Sequence, residues 1–130
     1  MKPTPISALI PRVQANPLSE SEIRQAENKE YMDSVGAVVS VLKRRLWREW
    51  ETQEKQIRVQ AGKYVKGVRM TGYHLTVDQI KTMAEQQFAT STRLWYVRNT
   101  IARLCAAGNG IELRQKAGDV IKSEAKGKKE

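Results

Sequence analysis

The stretch TSTRLWYVRNTIARLCAAGNGIELRQ, residues 90–115, decides how this chain is interpreted. It combines arginines, two adjacent aromatic residues and a Gly-Asn-Gly sequence. Its spacing predicts a helix that is capped by Thr90 or Ser91, runs to about Ala107 and stops at Gly108. At 100° per residue, one side of this helix is apolar and forms a core face. The members of that face are Leu94, Val97, Ile101, Leu104 and Cys105, the last expected to be a small buried hydrophobe.

The other side of this helix carries groups that bind nucleic acid. The opposite face holds Thr92, Tyr96, Asn99 and Arg103, with Trp95, Arg93 and Arg98 at its flanks. Hydroxyl, amide and guanidinium groups hydrogen-bond to phosphates and base edges. Two alternatives stay open: Asn99 and Arg103 belong to an ordinary solvated face, and Trp95 and Tyr96 pack against the first helix of the chain.

A second helix is predicted immediately before this one. Thr76 and Gln79 form a capping box, and Leu75 occupies the position of a hydrophobic staple. The residues that follow give a compact apolar face and predict a helix of about twelve residues that ends near Phe88. The members of that face are Val77, Ile80, Ala84 and Phe88.

The sequence after the Gly-Asn-Gly element favours a β-hairpin. Ile111 and Leu113 alternate with polar residues, and Ala117-Gly118 separates the run IELRQK from the run DVIKSE, which contains β-branched residues. Residues 125–130 are rich in lysine and predict a basic tail.

The first half of the chain predicts an arm and a long helical segment. Residues 1–18 contain four prolines and predict an extended arm. Ser19 and Glu22 form a second capping box, with Leu18 and Ile23 as its staple. From there a helix is predicted into the mid-fifties, in one or two pieces. Its apolar stripe, Val35, Val39, Leu42, Leu46 and Trp50, predicts a homodimer through residues 32–50. Residues 60–74, with three glycines, predict a loop that contains at most a short strand.

Composition limits the class of partner. The 130 residues carry a net charge of +9, and the excess concentrates in residues 91–130, so an anionic partner is expected. One cysteine and one histidine predict neither a disulfide nor a metal site, and no cofactor is expected. The start lacks the apolar core of a signal peptide, and no apolar run is long enough to span a membrane. A cytoplasmic protein is expected.

A basic cluster near the end of the first helical segment has two possible roles. The cluster KRRLWR, residues 43–48, is either a second phosphate-binding site or a solvated flank paired with Glu49, Glu51 and Glu54; the second is favoured.

No phosphate-binding loop, nucleophile elbow or zinc-protease motif occurs in the sequence, and no candidate base lies beside a nucleophile. We therefore expect no enzyme and no catalytic residue.

The order of capped helix, short turn, helix, glycine and hairpin resembles the winged helix-turn-helix family over about residues 73–124. The resemblance is carried by Leu75, Val77, Ile80, Ala84, Leu94, Val97, Ile101, Leu104, Gly108, Ile111 and Leu113. It implies that the second helix enters the major groove while the hairpin wing lies on the backbone. The expected fold is mainly α: a long N-terminal helix followed by a winged helix-turn-helix with a C-terminal β-hairpin wing. The expected segments are 1–18 (arm), 19–59 (helical, dimerising), 60–124 (winged domain) and 125–130 (tail).

The expected function is sequence-specific binding of double-stranded DNA by a small transcriptional regulator. The candidate DNA-binding residues are Thr92, Arg93, Tyr96, Arg98, Asn99, Arg103, Arg114, Lys116 and Lys122. Asn99 would pair with adenine and Arg103 with guanine, whereas Lys116 and Lys122 would contact only the backbone. The alternative is a winged-helix adaptor that binds a protein partner in a replication, packaging or defence complex. An exposed helix face on the same side as Arg114 favours DNA, and a covered face favours protein.

Overall fold

The computed structural model describes residues 19–106 and 110–129 of the chain. Contacts divide the chain into two units, Met1–Glu30 and Tyr31–Glu130. Five helices occur in the described residues: α1 (Glu20–Arg45), α2 (Trp50–Arg69), α3 (Val77–Gln87), α4 (Leu94–Cys105) and α5 (Gly110–Lys129). The expectation of a mainly α protein is confirmed. The predicted arm and the stop at Gly108 lie outside the described residues.

Two helix starts follow from local chemistry. The Gln79 backbone N–H donates to Thr76 Oγ1 at 3.1 Å, and the Thr76 N–H donates to Gln79 Oε1 at 2.9 Å. The same reciprocal pair joins Ser19 and Glu22 at the start of α1. Each box satisfies two backbone donors that the first helical turn leaves free, so both predicted capping boxes are confirmed. The Ser19 bonds also lower the pKa of the Glu22 carboxyl.

The predicted β-hairpin wing is wrong. Residues 110–129 form one helix, and no strand occurs in the described residues. Leu113, Ala117 and Val120 are all buried, at steps of four and three that place them on one helical face. Ile111, which the hairpin pattern paired with Leu113, is 59% exposed. Burial of the helical stripe against α2, α3 and α4 outweighs the weak alternation and the Ala-Gly turn signal. The helix also continues through most of the expected tail.

The predicted loop at 60–74 is also wrong over most of its length. Helix α2 runs to Arg69 and buries Ile57, Ala61, Tyr64 and Val68 as a continuous stripe. Gly67 serves packing here, because a Cβ on it would come within 2.9 Å of Cys105 Sγ and 3.2 Å of Leu113 Cδ1. The missing side chain lets α2 approach α4 and α5 closely. Among the described residues, a positive φ (92°) occurs at Gly72, beyond the end of the helix.

The stripe on α1 is buried within the chain itself. Val39, Leu42 and Leu46 belong to the same core cluster as residues of α2 to α5, and Val35 and Trp50 pack against it. The long helix breaks after Arg45 and resumes at Trp50, with a further kink at Gln53. Most of the apolar stripe proposed for a dimer is therefore already covered, whereas Met32 and Trp47 in the same segment are exposed. The dimer itself stays a prediction.

The core contains one hydroxyl that pairs with nothing in the described part of the chain. Tyr64 is 1% exposed, and its ring meets the Phe88 ring edge-on at 5.1 Å between centroids. A buried hydroxyl without a partner costs free energy relative to its hydration in the unfolded chain. We expect Tyr64→Phe to raise the free energy of unfolding by roughly 1 kcal/mol in urea titrations.

The pH dependence of unfolding gives an independent check on Tyr64. Burial raises the pKa of its hydroxyl above the usual value. The free energy of unfolding should therefore fall as pH rises above about 10, where this tyrosine ionises in the unfolded chain but stays neutral in the folded one. Above about pH 10, the free energy of unfolding should fall less for Tyr64→Phe than for the parent chain. Tyr96→Phe, at an exposed ring, is the matched control and should change neither quantity. Destabilisation by Tyr64→Phe at neutral pH would show that the hydroxyl is hydrogen-bonded.

Candidate nucleic-acid interface

A groove runs between α2 and α4 and encloses about 580 Å³. Its α2 wall presents residues at helical spacing of three and four, and its α4 wall presents the side of that helix next to the core face. The lining residues are Gln60, Lys63, Lys66, Gly67 and Met70 on one wall and Trp95, Arg98, Asn99, Ile101, Ala102 and Cys105 on the other.

The polar lining of this groove carries positive charge without negative charge. Lys63 and Lys66 lie one turn apart on α2, and Arg98 faces them from α4. None of the described residues that line the groove is Asp or Glu. All three cations are exposed, so their charges act on solvent and on any ligand in the groove. Amides of Gln60 and Asn99 add hydrogen-bonding groups of both kinds.

Trp95 forms part of this lining and is 63% exposed. Its ring contacts the Tyr96 ring edge-on, with centroids 4.8 Å apart and planes at 77°. This contact orients the indole while leaving most of it open to solvent. The prediction that these rings pack against the first helix does not account for their exposure.

The structure separates the candidate residues of α4 into two groups. Arg98 and Asn99 line the groove, whereas Tyr96 and Arg103 are not part of its lining. Arg103 Nη1 donates to Glu112 Oε2 at 2.6 Å, which ties α4 to α5. Both side chains are about half exposed, so this pair contributes little stability. Arg103 would nonetheless have to leave its ion pair with Glu112 before it could contact a base.

The candidate residues of α5 also fall into two groups. Arg114 lines a smaller hollow of about 380 Å³ that shares Gly67, Met70 and Cys105 with the groove. Lys116 lies about 200° around the helix from Arg114 and lines neither space. Lys122 is exposed and also outside both. Arg114 is therefore contiguous with the groove, and the two lysines are not.

The turn before α4 is held by the end of α1 and by Glu49, the N-cap residue of α2. The Leu94 backbone N–H donates to Glu49 Oε1 at 2.6 Å, so Glu49 takes the place of the predicted Thr90 or Ser91 cap. Arg45 donates to the Ala89 carbonyl, and Arg44 pairs with Glu85 at 3.0 Å. Thr92 and Arg93 are exposed beside this junction. The 43–48 cluster thus positions the turn, with partners other than those the sequence indicated.

Two groove residues, Lys63 and Lys66, were missed because residues 60–74 were interpreted as a loop. The signal was present: Ile57, Ala61, Tyr64 and Val68 repeat at helical spacing through that segment. A helix through it places both lysines on one exposed side. Three glycines in the same segment favour a loop and compete with this periodicity.

Cys105 lies where the groove and the smaller hollow meet. It is exposed, contrary to the expected buried hydrophobe, and its thiol lies 3.9 Å from the Lys63 carbonyl oxygen. Partial burial raises the pKa of the thiol, and the Lys63 ammonium opposes this shift. As the only cysteine of the chain, it can report on occupancy of the groove.

The described residues contain no group of three or more His, Cys, Asp or Glu that could hold a metal ion. Among the same residues, no helix is long and apolar enough to cross a membrane. Comparison with protein-family models, with curated proteins and with solved structures gave no match.

Proposed function

We propose that this chain is a DNA-binding protein whose contact surface is the groove between α2 and α4. The observation that carries the proposal is the lining of that groove, where Lys63, Lys66 and Arg98 meet without an acidic residue. The net charge of +9 would draw DNA to the chain from a distance.

The two lysines and the arginine would bind phosphate in different ways. Lysine ammonium groups act as point charges, whereas the planar guanidinium of Arg98 can donate two parallel hydrogen bonds to a phosphate. Asn99 supplies an amide that can pair with two adjacent groups of adenine. Sequence preference would then come from Asn99 rather than from Arg103, which Glu112 already engages. A role as a small transcriptional regulator stays a prediction.

Binding of labelled 20-nucleotide DNA, followed by fluorescence anisotropy from 50 to 300 mM salt, tests the proposal. With three phosphate contacts, affinity should fall with salt at a log–log slope of roughly −2 to −3. A peptide nucleic acid of the same base sequence is the control, because it lacks phosphates and should not bind. A slope near zero, or equal binding of the control, would contradict the proposal.

A second candidate function, binding of a protein partner, is favoured by the apolar residues around the groove. Trp95 and Met70 line the groove, Ile111 lines the adjoining hollow, and all three are exposed. An amphipathic helix with acidic flanks would match apolar rims and basic walls. Affinity for such a peptide, with no affinity for DNA, would favour this function over the first.

A further inference from the structure

The groove cations lie in a concave space between two packed helices. Packed helices are about 8–10 Å apart, axis to axis, so the groove between them is narrow. Reading a duplex with a helix requires the opposite shape, a convex, exposed helix face that enters the major groove. Lys63, Lys66 and Arg98 instead line the space between α2 and α4, and Arg103 on the outer side of α4 is paired with Glu112 of α5.

The aromatic residue of the groove differs from the other tryptophans of the chain. Arg48 lies over the Trp47 ring at 5.0 Å, and both Lys43 and Arg58 lie over Trp50. Within the described residues, no cation lies over Trp95, although it is nearly as exposed as Trp47. An open indole beside a row of cations is the arrangement that binds unpaired bases by stacking.

Asn99 lies one helical turn after Trp95 on the same side of α4. A base stacked on the indole would therefore have an amide next to its edge. Its flanking phosphates would meet Lys63, Lys66 and Arg98 along the groove. A base within a duplex cannot do this without leaving its stack, which costs free energy.

Building on the proposed function, we propose that the groove holds single-stranded DNA in preference to duplex DNA. One base stacks on Trp95, Asn99 contacts the edge of that base or of its neighbour, and the three cations hold the adjoining phosphates. The partner is recognised by its unpaired bases together with its backbone charge.

The test compares a 20-nucleotide oligo-dT strand with a duplex of equal length at the same salt concentration. We expect the single strand to bind at least tenfold more tightly. Trp95→Ala should weaken binding of the strand about tenfold or more, and Trp95→Phe should retain most of the affinity. Trp47→Ala is the matched control, because Trp47 is similarly exposed (66%) but already has a cation, Arg48, over its ring. This substitution should leave the affinity for the strand unchanged.

Alkylation of Cys105 locates the bound strand. Saturating oligo-dT should slow the reaction of this single thiol with a maleimide, whereas the same concentration of duplex should slow it less. Thermal melts of each variant show that the exposed substitutions leave the fold intact. Equal binding of strand and duplex, with no effect of Trp95→Ala, would overturn this inference and leave DNA binding standing. Failure of both DNAs to bind would overturn the proposed function as well, and binding of an acidic peptide alone would favour the protein partner.

Discussion

Leu42→Asp is expected to unfold the chain. Leu42 is 0% exposed and lies in the core cluster that includes residues of all five helices. Loss of its buried side chain alone would cost about 3–5 kcal/mol, by analogy with leucine-to-alanine changes in other cores. A carboxylate without a partner in that space adds several kcal/mol more. The sum approaches the whole stability of a small domain, about 5–15 kcal/mol.

Circular dichroism at 222 nm and a thermal melt measure this outcome. The variant should lack a cooperative transition at temperatures where the parent chain is folded. Ser40→Asp is the matched control: it adds the same charge to the same helix at an exposed position. It should shift the free energy of unfolding by less than about 1 kcal/mol.

The dimer hypothesis from the sequence makes the opposite prediction for Leu42→Asp. If Leu42 faced a second copy, the substitution would halve the mass measured by sedimentation and leave the helices folded. A folded monomer would therefore contradict the burial of Leu42 within one chain. Its burial in the present fold instead assigns the α1 stripe to intramolecular packing.

Removal of the three groove cations should have the largest effect on binding. The variant Lys63→Ala, Lys66→Ala, Arg98→Ala eliminates every cation that lines the groove. We expect affinity for DNA to fall about a hundredfold or more at 100 mM salt, because charged hydrogen bonds each contribute about 1.5–3 kcal/mol. The log–log salt slope should become shallower by about two, at roughly 0.7–0.9 per lost contact.

A second triple variant controls for net charge. Arg24→Ala, Lys55→Ala, Lys81→Ala removes the same number of positive charges at positions outside the groove. It should weaken binding only slightly, through the reduced long-range attraction. If both variants weaken binding equally, DNA is held by overall charge and the groove is not its site.

Local signals in the sequence predicted part of the fold correctly. The Thr76–Gln79 box begins α3, and the predicted core face of α4 is buried at Leu94, Val97, Ile101 and Leu104. Such signals involve residues within one or two helical turns, so their energetics depend little on the rest of the chain. The same holds for the net charge, which no packing arrangement alters.

Segments with competing local signals were predicted incorrectly. Residues 110–121 carry both a short alternation and a stripe at Leu113, Ala117 and Val120, and only packing against α2, α3 and α4 selects the helix. Gly67 counts as a helix breaker in isolation. Its closeness to Cys105 and Leu113 gives it a packing role that its neighbours in sequence do not reveal.

The sequence by itself determined two helix starts, the core side of α4 and the positive charge of the protein. Tertiary structure decided which charges share a surface. Lys63 and Arg98 are 35 residues apart and meet because α2 packs on α4, while Arg103 is engaged by Glu112 from α5. Helical periodicity tells which side chains share one helix face, but the pairing of faces depends on burial across the whole core. The groove therefore forms only in the folded chain, where α2 packs on α4, and the sequence alone does not predict it.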